Sequence, residues 1–137
     1  MKYKLIDHTA DFGIHVFGSD IKALFENAAH AMFELMIDTG ELKSLTKRQI
    51  VVQGDDWPDL MVNWLRELLA IWNIDQLVVK DTEILSTADF KIDAIVKADP
   101  FDPTKHEIKM EIKAVTYHQI DVHRGSTGWE SKIIFDV

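Results

Sequence analysis

The chain has 137 residues, of which 47% are hydrophobic and 28% are charged, and 23 acidic residues against 15 lysines and arginines give a net charge of −8. This length allows one domain with a substantial hydrophobic core, so we expect residues 1–137 to form a single domain. The negative charge opposes strong direct binding to RNA or DNA, and the lack of cysteine excludes disulfides, thiolate nucleophiles and cysteine-ligated metals.

The sequence gives no sign of membrane insertion or secretion. Its apolar stretches are far shorter than the roughly 20 residues that cross a bilayer. The N-terminal segment reaches Asp7 before an apolar signal region forms. We therefore expect a cytoplasmic protein that does not contact membranes.

A strand followed by a long helix is predicted near the start of the chain. Residues 12–17 alternate in hydrophobicity, which predicts a strand, and Gly18 and Ser19 are then expected to supply a break and a helix N-cap. From Asp20 onward apolar residues recur every three or four positions, as on one face of a helix. This helix is expected to stop near 39–40.

A second strand and a second helix follow. Residues 47–53 predict the strand. Asp55 and Asp56 are expected to cap the next helix, with Pro58 in its first turn. The tryptophans at helical spacing, which we expect to be core residues, are Trp57, Trp64 and Trp72.

The second half of the chain predicts strands and turns. The predicted strands are 76–79 with a continuation at 82–85, 90–97, a long β-prone stretch at 108–122, and 129–137. A loop at 99–104 and a turn at 124–128 separate the last three. Two amphipathic helices packed on a mostly antiparallel β-sheet predict an α+β fold.

An acidic segment near the start is the strongest candidate for a functional site. Asp7 and Asp11 flank His8, which gives oxygen and imidazole donors within five residues. Asp136 lies one residue before the terminal carboxylate of Val137. If the last strand pairs near the first, these oxygen donors meet. A hard cation such as Ca²⁺ or Mg²⁺ prefers oxygen donors of this kind.

Structural alternatives exist for each of these residues. Carboxylates such as those of Asp7 and Asp11 commonly cap turns by accepting backbone N–H bonds. His8 and His118 can each be hydrogen-bonded structural histidines, with His118 on a semi-buried strand face. Lys113 is the one basic residue that we single out, although a lysine on a strand is usually solvated. No Ser–His–Asp order or phosphate-binding loop stands out.

Four strings taken together resemble those of the archease family. They are DHTAD at 7–11, QGDD at 53–56, KAVTYH at 113–118 and IFDV at 134–137. The resemblance covers the whole chain. It implies a protein cofactor of tRNA splicing and not an enzyme, because archeases assist the RtcB-type tRNA-splicing ligase. That ligase joins an RNA 3′-phosphate end to a 5′-hydroxyl end, and archeases promote guanylylation of its active-site histidine and multiple turnover.

The resemblance also implies a metal site. Its ligands, carried over residue by residue, are Asp11, Asp136 and Val137. The expected ion is Ca²⁺, with Mg²⁺ or another divalent cation as alternatives. Lys113 corresponds to a functionally important lysine that would face the partner. The residues expected to support the site are Asp7, His8 and His118.

Two other functions stay open. One is a chaperone-like modulator of a tRNA-modifying enzyme such as a methyltransferase, a role also suggested for this family, which would depend little on a metal. The other is a small metal-dependent hydrolase with His8 or His118 as general base. A hydrolase would turn over phosphate esters without a partner, so incubating the protein alone with such esters distinguishes the two classes.

Overall fold

The computed structural model describes residues 2–7, 11–38, 43 and 46–137, which form two long helices and a set of antiparallel strands. The helices are α1 (Ile21–Met36) and α2 (Trp57–Asp75), with a short 3-10 helix at Ala88–Phe90. The strands are β1 (Tyr3–Asp7), β2 (Asp11–Gly18), β3 (Ile37–Asp38), β4 (Thr46–Gln53), β5 (Leu77–Ser86), β6 (Lys91–Pro100), β7 (Glu107–Ile108), β8 (Ala114–Val115), β9 (Asp121–Arg124) and β10 (Trp129–Asp136). The predicted α+β fold is confirmed.

The strands group into a large sheet, a smaller sheet and one isolated pair. In the five-stranded sheet β2 lies between β1 and β10, and both β8 and β9 pair with the other side of β10. The three-stranded sheet has the order β4-β6-β5, and β3 pairs with β7. Helix α1 packs against β2 and β5 and so joins the two sheets. Neither of the described helices is long and apolar enough to cross a membrane.

Helix α1 differs from its prediction at both ends. Its N-cap is Asp20 and not Ser19, because the Asp20 carboxylate accepts a hydrogen bond from the backbone N–H of Ala23 at 2.7 Å. The helix also ends at Met36, before the predicted stop near 39–40, since the next two residues pair with β7 as a strand. Residues 39 and 40 lie outside the described residues.

Helix α2 follows its prediction closely. Asp56 is the N-cap and Pro58 lies in the first turn. Trp64 is fully buried, and its indole N–H donates to a backbone carbonyl of α1 at 2.9 Å, which fixes the two helices together. Trp57 and Trp72 are half-buried against the same core, as expected for tryptophans at helical spacing.

The strand predictions for the second half were correct in type but not in extent. The stretch 108–122 is not one strand. It holds β8 and parts of β7 and β9, and Gln119 has a left-handed backbone (φ 53°) that no regular strand accommodates. Residues 99 and 100 belong to β6 and not to the predicted loop, and β5 runs through 80–81 past a register shift. Strand β1 was not predicted.

Candidate functional site

The two ends of the chain meet at one corner of the five-stranded sheet. β10 pairs antiparallel with all of β2, so that Asp136 lies directly opposite Asp11. On the other side of β10, Ala114 lies opposite Asp136, and the backbone N–H of Lys113 donates to the carbonyl of Asp136 at 2.8 Å. Asp7 ends β1 beside the start of β2. The last strand therefore pairs directly with β2, the strand predicted at 12–17, which is the condition under which the two ends were expected to meet.

Asp11 and Asp136 form a like-charged pair across two strands. Residues directly opposite each other in an antiparallel sheet point to the same face, with Cβ atoms about 4.5–5.5 Å apart. Asp11 is half-buried and Asp136 is exposed. Neither carboxylate accepts a hydrogen bond or forms an ion pair with another described residue. Two facing carboxylates repel each other, so a cation or a proton donor between them would relieve an unfavourable interaction.

The donors at this corner suit a hard cation in their chemistry. Among residues 2–7, 11–38, 43 and 46–137, no three His, Asp or Glu side chains are arranged to hold a metal ion. The two side-chain carboxylates at this corner are those of Asp11 and Asp136, and the third predicted ligand, Val137, is 40% exposed just beyond β10. All of these donors are oxygens, as Ca²⁺ and Mg²⁺ prefer.

Lys113 adds a positive charge immediately before β8, the strand that pairs with β10 at this corner. The residue directly precedes β8 and its side chain is exposed. Its ammonium group makes no ion pair with the described residues. A lysine stem is long and flexible, so this ammonium is available to a molecule that binds at the corner.

The predicted supporting residues have different outcomes. His8 and the side chain of Asp7 lie outside the described residues, so their role stays a prediction. His118 does not occupy the semi-buried strand face that we expected. It is exposed in a turn after β8, because Gln119 has φ 53° and the N–H of Ile120 closes the turn onto the carbonyl of residue 117 at 3.2 Å.

Sequence reasoning missed a cluster between α2 and the segment after β8. The Tyr117 hydroxyl donates to the Asp59 carboxylate at 2.7 Å, and the Arg66 guanidinium lies 4.7 Å from the Tyr117 ring centroid. The bond from Tyr117 lowers the pKa of the Asp59 carboxyl, and the same bond raises the pKa of the Tyr117 phenol. Asp59 and Tyr117 are 58 residues apart, so no local pattern indicates their contact.

Comparisons with known proteins agree on one family over the whole chain. A sequence model of the Archease protein family (MTH1598/TM1083) matches residues 3–137. The chain is 33% identical to a protein archease of Methanosarcina acetivorans, over 99% of this chain and 96% of the relative. It is 32% identical to a protein archease of Pyrococcus abyssi, over 99% of each.

Solved structures show the same fold. The solution structure of Methanobacterium thermoautotrophicum protein 1598 has a TM-score of 0.84 and 29% identity, over 99% of both chains. A crystal structure from Thermotoga maritima, described as an archease and possible chaperone, has a TM-score of 0.65 and 21% identity, over 98% of this chain and 96% of that one. At that identity the second likeness concerns the fold alone.

Proposed function

Since this chain belongs to the archease family, we propose that it is an accessory protein of tRNA splicing. It activates an RtcB-type RNA ligase by promoting guanylylation of the ligase and its multiple turnover, and it does not catalyse a reaction itself. The observation that supports this proposal most is the corner where Asp11 faces Asp136, with Lys113 bonded to the backbone of Asp136 just before β8.

Guanylylation of a histidine is a nucleotidyl transfer. An imidazole nitrogen of the ligase attacks the α-phosphorus of guanosine triphosphate, an N–P bond forms, and the P–O bond to the β-phosphate breaks as pyrophosphate leaves. Negative charge on the phosphate oxygens must be held and oriented during this step. An accessory protein therefore helps if it brings fixed positive charge to the nucleotide in the ligase cleft.

The residues at the corner have separate roles in this proposal. Asp11, Asp136 and Val137 would hold a divalent cation, for which we propose Ca²⁺. When bound, such a cation supplies positive charge and open coordination positions for phosphate oxygens. Lys113 contributes an ammonium group on a long stem that can reach a docked nucleotide.

The net charge of the chain suits this partnership. A surface with a net charge of −8 is attracted over long range to a partner with a basic RNA-binding and nucleotide-binding cleft. The same charge disfavours tight binding of free RNA. The ligase, and not this chain, would therefore bind the RNA.

The test is a ligase guanylylation assay with and without this protein, repeated with a chelator. Asp11→Asn keeps the shape of the side chain and removes its charge, so stimulation should be lost while the circular dichroism spectrum is unchanged. The matched control is Glu83→Gln, an exposed carboxylate on β5 that makes no bond to the other described residues, and this variant should stimulate fully. Full stimulation by a folded Asp11→Asn protein would end the proposal.

A second candidate is a chaperone-like modulator of a tRNA-modifying enzyme such as a methyltransferase. The Thermotoga maritima structure is described as a possible chaperone, which is said of that protein. This function predicts that stimulation of the tRNA-modifying enzyme survives both the addition of a chelator and the Asp11→Asn change. Turnover of phosphate esters by the protein alone would contradict both accessory functions.

A further inference from the structure

A guanidinium group is held in one position on the surface between α2 and the segment after β8. The Arg66 Nε donates to the backbone carbonyl of Val115 at 3.0 Å, and the guanidinium carbon lies 4.7 Å from the centre of the Tyr117 ring. The hydrogen bond fixes the Nε end of the guanidinium, and the Tyr117 ring contacts the rest of the group. An exposed arginine normally samples many rotamers, so these two contacts restrict its freedom before any partner arrives.

The supporting ring is itself anchored. The Tyr117 hydroxyl donates to one oxygen of Asp59 at 2.7 Å, and the other oxygen of Asp59 accepts from the backbone N–H of Asp55 at 2.8 Å. Tyr117 is nevertheless 47% exposed. The ring is therefore a fixed surface platform and not a core residue.

The outer end of Arg66 has unused hydrogen-bonding capacity. A guanidinium has five N–H donors, and the bond to Val115 is the one that Arg66 makes within the described part of the chain. Arg48 provides a contrast, because its Nη1 already pairs with Asp75 at 2.6 Å. A fixed guanidinium with free terminal nitrogens is preorganised to bind a carboxylate or a phosphate through two parallel N–H···O bonds.

We propose that Arg66 and Tyr117 form a docking site for a carboxylate side chain of the partner ligase. The inference rests on the proposed function and adds the surface through which it operates. Arginine and tyrosine are enriched among the residues that contribute most to protein interfaces. The Val115 carbonyl that binds Arg66 lies two residues after Lys113, so a partner docked here also lies near Lys113.

The net charge of the chain favours a carboxylate over a phosphate as the anion that Arg66 binds. An RNA strand brings many negative charges towards a surface with a net charge of −8, which costs affinity. A protein can present one Asp or Glu within an otherwise basic surface. Such a partner gains from long-range attraction, while the single acidic side chain fixes its orientation on Arg66.

The experiment measures the dissociation constant between the labelled full-length protein and the ligase, with and without RNA. Arg66→Lys keeps the charge but loses the planar fork, so binding to the ligase alone should weaken about tenfold or more. Tyr117→Leu removes the aromatic ring that supports Arg66, so it should also weaken binding to the ligase alone. The control Arg48→Lys should change the dissociation constant less than about twofold. Thermal unfolding of each variant checks that it is folded.

Each outcome supports or overturns the assignment. Unchanged binding by a folded Arg66→Lys variant overturns the docking site and leaves the proposed function standing, whereas a wild-type protein that does not bind the ligase overturns both. A loss that appears only when RNA is present would identify an RNA phosphate as the anion and overturn the carboxylate. In support, one Asp→Asn or Glu→Gln change on the ligase should weaken wild-type binding but have no further effect with Arg66→Lys.

Discussion

The pair of facing carboxylates makes an unusual prediction: Asp11→Asn should stabilise the metal-free protein. The Cβ atoms of directly opposed residues lie about 5 Å apart, and two unit charges at that distance repel by roughly 0.8 kcal/mol in a water-like dielectric and by about 3 kcal/mol at the effective dielectric of a protein surface. Because Asp136 is exposed, we expect the lower value. The free energy of unfolding in a chelator should therefore rise by about 0.5–1 kcal/mol, the size measured for cross-strand charged pairs.

Calcium should reverse this order. A ligand that binds only the folded state at 100 times its dissociation constant stabilises it by about 2.7 kcal/mol. The wild-type protein should gain this amount, whereas Asp11→Asn, which lacks one charged ligand, should gain much less. Urea unfolding of both proteins in chelator and in excess Ca²⁺ measures the two differences. In chelator, the advantage of the variant should shrink in about 1 M salt, where exposed charges are screened.

The same measurement tests the structural alternative for Asp11. If its carboxylate caps a turn, Asp11→Ala, which unlike Asp11→Asn has no side-chain acceptor for the capping hydrogen bond, should be less stable than wild type in chelator by about 1 kcal/mol. That result would refute the repulsion argument. Asp136→Asn should have the same effect as Asp11→Asn, and the double variant should gain little more, because one change already removes the repulsion.

Three further predictions concern the fold and the tyrosine cluster. Trp64→Phe should lower the free energy of unfolding by about 2 kcal/mol, because it leaves a cavity and removes the buried hydrogen bond from the indole to a carbonyl of α1, as urea unfolding will measure. Gly18→Ala should cost more than about 2 kcal/mol in the same assay, because its Cβ would lie 2.3 Å from a backbone nitrogen of α1; Gly125→Ala, which meets only the flexible end of a glutamate, should cost less. Because the pKa of Asp59 is lowered in the folded state, its ionised carboxylate stabilises the fold at pH values above the ordinary carboxyl pKa. This stability is lost as the pH falls through the pKa of the folded state. The loss of unfolding free energy caused by Tyr117→Phe should therefore be largest at pH 6–7 and should shrink below about pH 4. An unchanged loss at pH 3 would contradict the stabilising role of the bond between Tyr117 and Asp59.

The helices could be predicted from sequence because their signals are local. The apolar spacing of α2 and the cap at Asp56 lie within a few turns of each other, so both were predicted correctly. At the start of α1, Ser19 and Asp20 are both good capping residues, and the sequence does not show which side chain reaches Ala23. Strand β1 was missed because a five-residue strand at a chain end has few flanking signals.

The stretch 108–122 shows where sequence reasoning fails. Its composition favours strand throughout, but its backbone partners come from distant elements. The N–H of Lys109 binds the carbonyl of Met36, and the N–H of Thr116 binds that of Ile134. A stretch that is shared between separate partners is divided into short strands, and β-propensity is too dependent on context to reveal the divisions.

The candidate site was predicted in part. The sequence placed acidic residues near both termini, but it left open whether the last strand pairs near the first. The pairing of Asp11 with Asp136 requires the register of β10 on β2, and a slip of one residue would turn one of the two carboxylates to the opposite face. The contacts of Arg66 with Val115 and Tyr117 join elements about 50 residues apart and required the structure.

The central position of β10 has a practical consequence for anyone who purifies this protein. The C-terminal residues form an interior strand of the five-stranded sheet, so a purification tag fused after Val137 would begin at the corner that holds Asp11. Strand β1 starts at Tyr3, about 14 Å along the sheet from Asp7, at roughly 3.4 Å per residue. In the proposed function, a protein tagged at its N-terminus should therefore stimulate the ligase, and one tagged at its C-terminus should not, although both have the same fold.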